Sequence, residues 1–145
     1  MDDNKFNFNI VTKNHKKYIY DIIRKKYILL SDEEKVRQTT INYLISELEI
    51  PISHISTEKG FLIDTGLKKR FDVIVYDRDG KIAILIECKS PKIKINSKVI
   101  DQILIYNQKL KSKFLMVTNG KHTIVLYCHN KDIKQIKTLP KYLDL

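Results

Sequence analysis

Hydrophobic spacing divides the chain near Pro51 into a helical part and a strand-rich part. Between Ser31 and Pro51, Val36, Ile41, Leu44, Ile45 and Leu48 recur at near-helical intervals and predict one core-facing stripe. Ser31-Asp32-Glu33-Glu34 fits a capping box that opens this helix, and Pro51 is expected to end it. From Ile52 the pattern changes. His54 to Thr57 and Phe61 to Ile63 are short strand candidates broken by Lys59-Gly60. Two longer ones, Arg70 to Arg78 and Lys81 to Lys89, flank Asp79-Gly80, a strong hairpin signal. The run Ile82 to Ile86 is apolar without alternation, which predicts a central strand buried on both faces. A second helix is expected from Ser97 to Lys111, with Val99, Ile103, Tyr106 and Leu110 on one side. Strands follow at Phe114 to Thr118 and Thr123 to Cys128. The strand–helix–strand passage from Lys81 to Thr118 predicts a right-handed crossover with parallel strands. The expected fold is an α/β sandwich around a mixed sheet.

No repeat or linker is visible, so one domain over residues 1–145 is expected, with a basic segment 1–30 and a short, loosely packed basic tail 130–145. Hydrophobic residues make up 43% and charged residues 30%, with four Gly and three Pro, the composition of a compact domain and not of a disordered chain. No apolar run is long enough to span a bilayer, and the first residues lack the layout of a secretory signal. Two cysteines, Cys88 and Cys128, are too few for a disulfide framework, which makes the cytoplasm the expected compartment.

Charge changes the picture more. Twenty-seven Lys and Arg against 17 Asp and Glu give +10. That field favours polyanions such as nucleic acid, although a Lys-, Ile- and Asn-rich composition from an AT-biased genome would produce the same excess. In residues 1–30, lysines and arginines interleave with Tyr18, Tyr20 and Tyr27. They could track phosphates with aromatic stacking, or form a solvated basic surface over core tyrosines, and the second is the expectation. Cys128-His129 with His122 lacks zinc-site spacing.

The candidate chemistry lies on the hairpin. A two-residue Asp79-Gly80 loop puts Arg78 opposite Lys81 and therefore Asp72 opposite Glu87. A three-residue loop would slip the register by one and separate the carboxylates, unless a bulge intervened. Facing carboxylates lie about 5 Å apart and repel by roughly 3 kcal/mol at an effective dielectric near 20. Mg²⁺ would relieve that repulsion, since it takes one or two carboxylates plus waters. Lys89, two residues beyond Glu87, points to the same face. Carboxylates for a metal and a lysine for the attacking water or developing charge are what phosphodiester hydrolysis requires.

These residues resemble a known signature. Arg70-Phe71-Asp72 followed by Ile86-Glu87-Cys88-Lys89 is similar to the PD-(D/E)xK nuclease motif, with Phe71 where the motif's name has proline. The wider pattern resembles the N-terminal nuclease domain of type I restriction enzyme R subunits. It includes Ile23 to Lys26, Glu33 to Gln38, Lys68 to Asp77, Ile86 to Pro91, Asp101-Gln102, Tyr106-Asn107 and Val117 to Gly120. The resemblance implies a restriction-endonuclease-like α/β fold, a mixed sheet flanked by helices. It also implies that Asp72, Glu87 and the Cys88 carbonyl bind Mg²⁺ or Mn²⁺ and that Lys89 is catalytic. Glu34 looks like an additional metal-directed acid, or else the capping partner of Ser31. Gln102 and Tyr106 resemble a Gln-x-x-x-Tyr element that could contact DNA, or supply an interhelical hydrogen bond and a buried aromatic. Lys68, Lys69 and Arg70 are further DNA-contact candidates.

The chain contains no Gly-x-x-x-x-Gly-Lys-Ser/Thr loop, so it carries no ATP-driven motor. The expected function is a metal-dependent deoxyribonuclease acting on double-stranded DNA. The alternative is a non-cleaving nucleic-acid-binding or regulatory module, or a nuclease subunit, as homodimer or otherwise, that needs a separate motor or specificity partner.

Overall fold

The computed structural model describes residues 6–64 and 66–145. It opens with an antiparallel meander of β1 (Ile10–Lys13), β2 (Lys16–Asp21) and β3 (Lys26–Leu29), in a segment where the sequence pointed to a basic surface over core tyrosines and to no strands. Ile19 and Asp21 point inward and are fully buried. Tyr20 and Tyr27 pair on the opposite face, 37% and 44% exposed, so the expectation of core tyrosines is corrected.

Helix α1 (Asp32–Ser46) begins as its cap predicts, with Ser31 Oγ accepting from the Glu34 amide at 3.0 Å. It ends earlier than Pro51 suggested. Glu49 adopts a left-handed backbone (φ 59°), and the Leu44 carbonyl accepts from the Ile50 amide at 3.0 Å, which turns the chain before the proline is reached.

The second sheet has six strands in the order β4 (Ile55–Asp64), β5 (Leu67–Tyr76), β6 (Ile82–Cys88), β7 (Phe114–Thr118), β8 (Thr123–His129) and β9 (Asp132–Ile136). β4 is one continuous strand where two were expected. Pairing along β5 holds it through Gly60, with Glu58 absorbing a left-handed φ of 53°. The tail expected to pack loosely instead supplies β9 as an edge strand, then buries Leu139 and bonds the Tyr142 amide to the Leu48 carbonyl.

The β5–β6 hairpin reaches the expected register by an unexpected route. The Asp77 amide donates to the Lys81 carbonyl, so the loop is the three residues Arg78, Asp79 and Gly80, with Gly80 left-handed at φ 74°. Asp77 Oδ1 accepts from the Asp79 and Lys81 amides and stiffens the turn. Tyr76 then pairs with Ile82 but Val75 with Ile84, so a bulge at Ala83 takes up one residue. Beyond it Val73 faces Ile86, which restores the alignment that a two-residue loop would have produced.

Helix α2 (Ser97–Leu110), capped by the Asn96 side chain, carries the chain from β6 to β7, and these strands are parallel as predicted. Each helix covers one face of the sheet. Val36, Ile41 and Leu44 of α1 pack on Val73, Ile84, Ile86 and Met116, while Ile103 of α2 packs on Phe71, Ile74, Leu85 and Leu115. A fully buried Leu or Ile contributes about 1.5–3 kcal/mol, which explains why β6 reads as an unbroken apolar run. The molecule is an α/β fold of the restriction-endonuclease-like kind, a mixed sheet flanked by helices. Among the described residues no helix is long and apolar enough to cross a membrane.

Candidate active site

The strands deliver Asp72 and Glu87 to the point where the β5–β6 ladder opens. One step beyond the Val73–Ile86 pair, the Cys88 amide donates to Asp72 Oδ2 at 2.7 Å, a side chain standing in for a ladder carbonyl. Asp72 Oδ1 accepts from Arg37 Nη2 of α1 at 3.0 Å. Glu87 lies on the α2 side. Its Oε1 is 2.7 Å from Lys69 Nζ and its Oε2 is 3.7 Å from Lys89 Nζ. The expectation of a bare, mutually repelling carboxylate pair is therefore corrected: each acid has its own cation.

Burial pushes the Glu87 carboxyl above its ordinary range, the Lys69 hydrogen bond pulls against this, and the charge of Asp72 adds to the rise. Burial drives the Cys88 thiol far upward, so it stays protonated, 3.8 Å from Thr40 Oγ1. Only the backbone of Cys88 can serve a hard cation. Arg37 keeps its charge. Burial acts to lower its pKa, but the charges of Asp72 and Glu34 outweigh it.

Behind Asp72 runs a network that sequence reading did not anticipate. Glu34 Oε1 accepts from Arg24 Nη2 and Gln38 Nε2, each at 2.9 Å, and Glu34 Oε2 pairs with Arg37 Nη1. The Glu34 side chain thus turns to two arginines and an amide, and not back to Ser31 as the capping box expected. Arg24 also reaches Asp21 Oδ2 at 2.6 Å and Glu58 Oε2 at 2.8 Å. The Thr57–Val73 and Lys59–Phe71 pairs put Glu58 opposite Asp72. The i, i+3 spacing of Glu34 and Arg37 was a readable clue. Glu58 carried none, because its place depends on the β4–β5 register.

On the α2 side, Lys69, Glu87, Lys89, Val99, Gln102 and Ile103 line a small cavity of about 50 Å³. Gln102 Nε2 donates to Tyr106 Oη at 3.3 Å within α2. Lys69 Nζ lies 5.3 Å from the ring centres of both Phe71 and Tyr106, a cation–π arrangement. The fold therefore brings Gln102, Tyr106 and Lys69 to Glu87 and Lys89. Lys68 and Arg70 point to solvent on either side of Lys69, with Arg70 Nη2 3.8 Å from Glu58. A larger cavity of about 520 Å³ lies elsewhere, between the end of α2 and the β8–β9 turn, lined by residues such as Asn107, Lys113, Cys128 and His129.

Asp72, Glu87 and the Cys88 carbonyl are hard oxygen donors. Among the described residues no group of three or more His, Cys, Asp or Glu side chains stands ready for a metal. Such a set suits a largely hydrated magnesium ion and not a closed zinc site.

Residues 32–140 match the family model described as Type I restriction enzyme R protein N terminus (HSDR_N). The chain belongs to this family. No curated protein matches it. The matched segment of this restriction-enzyme domain begins at α1 and runs past β9, so it contains Glu34, Arg37, Asp72, Glu87, Lys89, Gln102 and Tyr106 and leaves β1–β3 outside.

Proposed function

We propose that this restriction-enzyme R N-terminal domain is a PD-(D/E)xK-type deoxyribonuclease that hydrolyses phosphodiester bonds of double-stranded DNA with Mg²⁺ or Mn²⁺. The observation that carries the reading is the convergence of Asp72, Glu87 and Lys89 where the β5–β6 ladder opens, inside the family-matched segment. Asp72, Glu87 and the Cys88 carbonyl would hold the ion. When bound, it would supply Lewis acidity to the phosphate and an activated water.

The chain's own residues do the rest. Arg37 and the Cys88 amide fix both oxygens of Asp72, so this ligand is oriented before any substrate arrives. Glu34, gripped by Arg24, Arg37 and Gln38, positions Arg37 in this reading and is not itself a ligand. Lys89 places an ammonium beside Glu87, where it orients the attacking water and stabilises charge developing on the phosphate. Lys68, Lys69 and Arg70 supply positive charge for the backbone, with Gln102 and Tyr106 next to the cut.

A second reading rests on the same ion pairs. Because Arg37 and Lys69 already neutralise the two carboxylates, a non-cleaving DNA-binding module, or a subunit activated by a partner, would need no metal. Incubating the purified chain with plasmid, linear and single-stranded DNA, with Mg²⁺, Mn²⁺ or EDTA, separates the two. The nuclease reading expects metal-dependent cutting. Intact substrates in every metal condition, with DNA bound, leave the binding module.

A further inference from the structure

Among the described residues, one face of the β1–β2–β3 meander stays largely open to solvent. Register places Val11, Tyr18 and Leu29 in one row, Tyr20 beside Tyr27 in the next, and Lys13 beside Lys16 at the end. Val11 is 38%, Tyr20 37%, Tyr27 44% and Leu29 50% exposed. The Tyr20 and Tyr27 rings meet edge to face, 5.3 Å between centres, which fixes them as a pair. A face turned only to water carries polar residues at such positions, and a cluster of outward apolar and aromatic groups marks a binding surface.

Charge selects the occupant. By register Lys13 and Lys16 share this face with the tyrosines, while Lys17 and Lys26 lie on the opposite one with the strands' single carboxylate, Asp21, which is buried and bonded to Arg24. Aromatic rings framed by lysines suit a polyanion that offers flat apolar groups. In a duplex those groups are already stacked, whereas in a single strand they are free.

We propose that this face binds single-stranded DNA, with bases stacking on Tyr20 and Tyr27 and phosphates meeting Lys13 and Lys16. The choice of DNA over RNA rests on the reading of the chain as a DNA-acting domain. The face is held to the catalytic region by Arg24, which joins Asp21 in β2 to Glu34 and Glu58. A strand parted from its complement is thereby retained beside the carboxylate site.

The test uses the full chain in EDTA, so that binding is read without cutting. The probes are fluorescein-labelled oligothymidine, oligouridine and duplex DNA, each of about twenty nucleotides per strand, followed by anisotropy across a salt series. Tyr20→Leu and Tyr27→Leu keep the apolar cover and remove the stacking ring, and circular dichroism checks the fold. Each is expected to weaken oligothymidine binding about ten-fold and leave duplex binding within two-fold or so. Lys13→Gln with Lys16→Gln should flatten the salt dependence by a slope of about one to one and a half.

Unchanged oligothymidine affinity in the folded Tyr20→Leu and Tyr27→Leu variants overturns the proposal. Tighter binding of oligouridine than of oligothymidine overturns the assignment to DNA. A parent dimer that the tyrosine variants dissociate, seen by sedimentation, makes the face a self-interface and overturns it too. Oligothymidine binding without cleavage of any DNA in Mg²⁺ would sink the nuclease reading alone and leave this surface standing.

Discussion

Asp72→Asn is the most informative substitution, because two accounts of the carboxylate site predict opposite signs. A bare Asp72–Glu87 pair would repel by about 3 kcal/mol at the roughly 5 Å spacing of adjacent strands, so removing one charge would stabilise the metal-free protein. The structure adds a larger opposing contribution. Asp72 Oδ1 lies 3.0 Å from Arg37 Nη2, and the two side chains are 14% and 7% exposed. At an effective dielectric near 20 that attraction is about 5 kcal/mol. Asparagine keeps the shape and an acceptor for the Cys88 amide, but it forfeits both the attraction and the repulsion. The difference is a loss of ~1–3 kcal/mol, which at this chain length lowers the melting temperature by about 3–9 °C. Thermal melts of parent and variant, in EDTA and in millimolar Mg²⁺ or Mn²⁺, provide the comparison. The parent should gain stability with metal, through binding to the folded state, and the variant should lose most of that gain. A higher metal-free melting temperature for Asp72→Asn would refute the Arg37 account. Equal metal-induced shifts in both proteins would refute the metal site.

Lys89→Ala should abolish cleavage while DNA affinity stays within a few-fold, since one charge among many is lost but the transition-state contact vanishes; full cutting by the variant would remove Lys89 from the mechanism. Cutting should be indifferent to ATP, and a clear ATP requirement in the purified chain would overturn the motor-free reading. Burial would raise the Asp21 carboxyl, but hydrogen bonds from the Arg24 backbone and side chain, with its charge, hold it below the ordinary 3.8. Its stabilising contribution is therefore complete above that value and is lost as pH falls through the lower folded one, so Asp21→Asn should flatten the acid limb of urea-melt stability; an unchanged limb would show that Asp21 is not responsible. Gly120 has φ +84°, and a Cβ there would meet Val36 Cγ2 at 3.2 Å. Gly120→Ala should cost about 1–2 kcal/mol from the left-handed backbone before that contact is counted, and a melt within a degree or so of the parent would contradict this.

Sequence alone determined those features that a short stretch of chain can settle. Ser31 marked the start of α1, apolar spacing marked α2 within a residue at either end, and the crossover length made β6 and β7 parallel. Capping, helical periodicity and chain reach act over a few residues, so neighbours suffice to read them. The hairpin register was also anticipated as far as Val73 opposite Ile86, though the loop that sets it has three residues and a compensating bulge at Ala83. Past that pair the ladder opens, with Asp72 bonded to Arg37 of α1 and Glu87 on the α2 side. The apolar pattern of β6 could not choose that register, because both faces are buried and a one-residue slip would exchange one apolar set for another; the bulge fixes it.

Tertiary structure decided how the charges are shared. Arg37 meets Asp72 across 35 residues and Arg24 meets Glu58 across 34, and Lys69 takes Glu87 from the neighbouring strand. With so many lysines and arginines, each acid has several conceivable partners in the sequence. The one it keeps is the cation that the packed helices and strands bring within hydrogen-bond reach in a poorly solvated place, where leaving the carboxylate alone would cost most. The outward tyrosines of β1–β3 follow the same rule. Which side of a small sheet faces the core depends on what packs against it, and the alternation of residues along the strand does not record that.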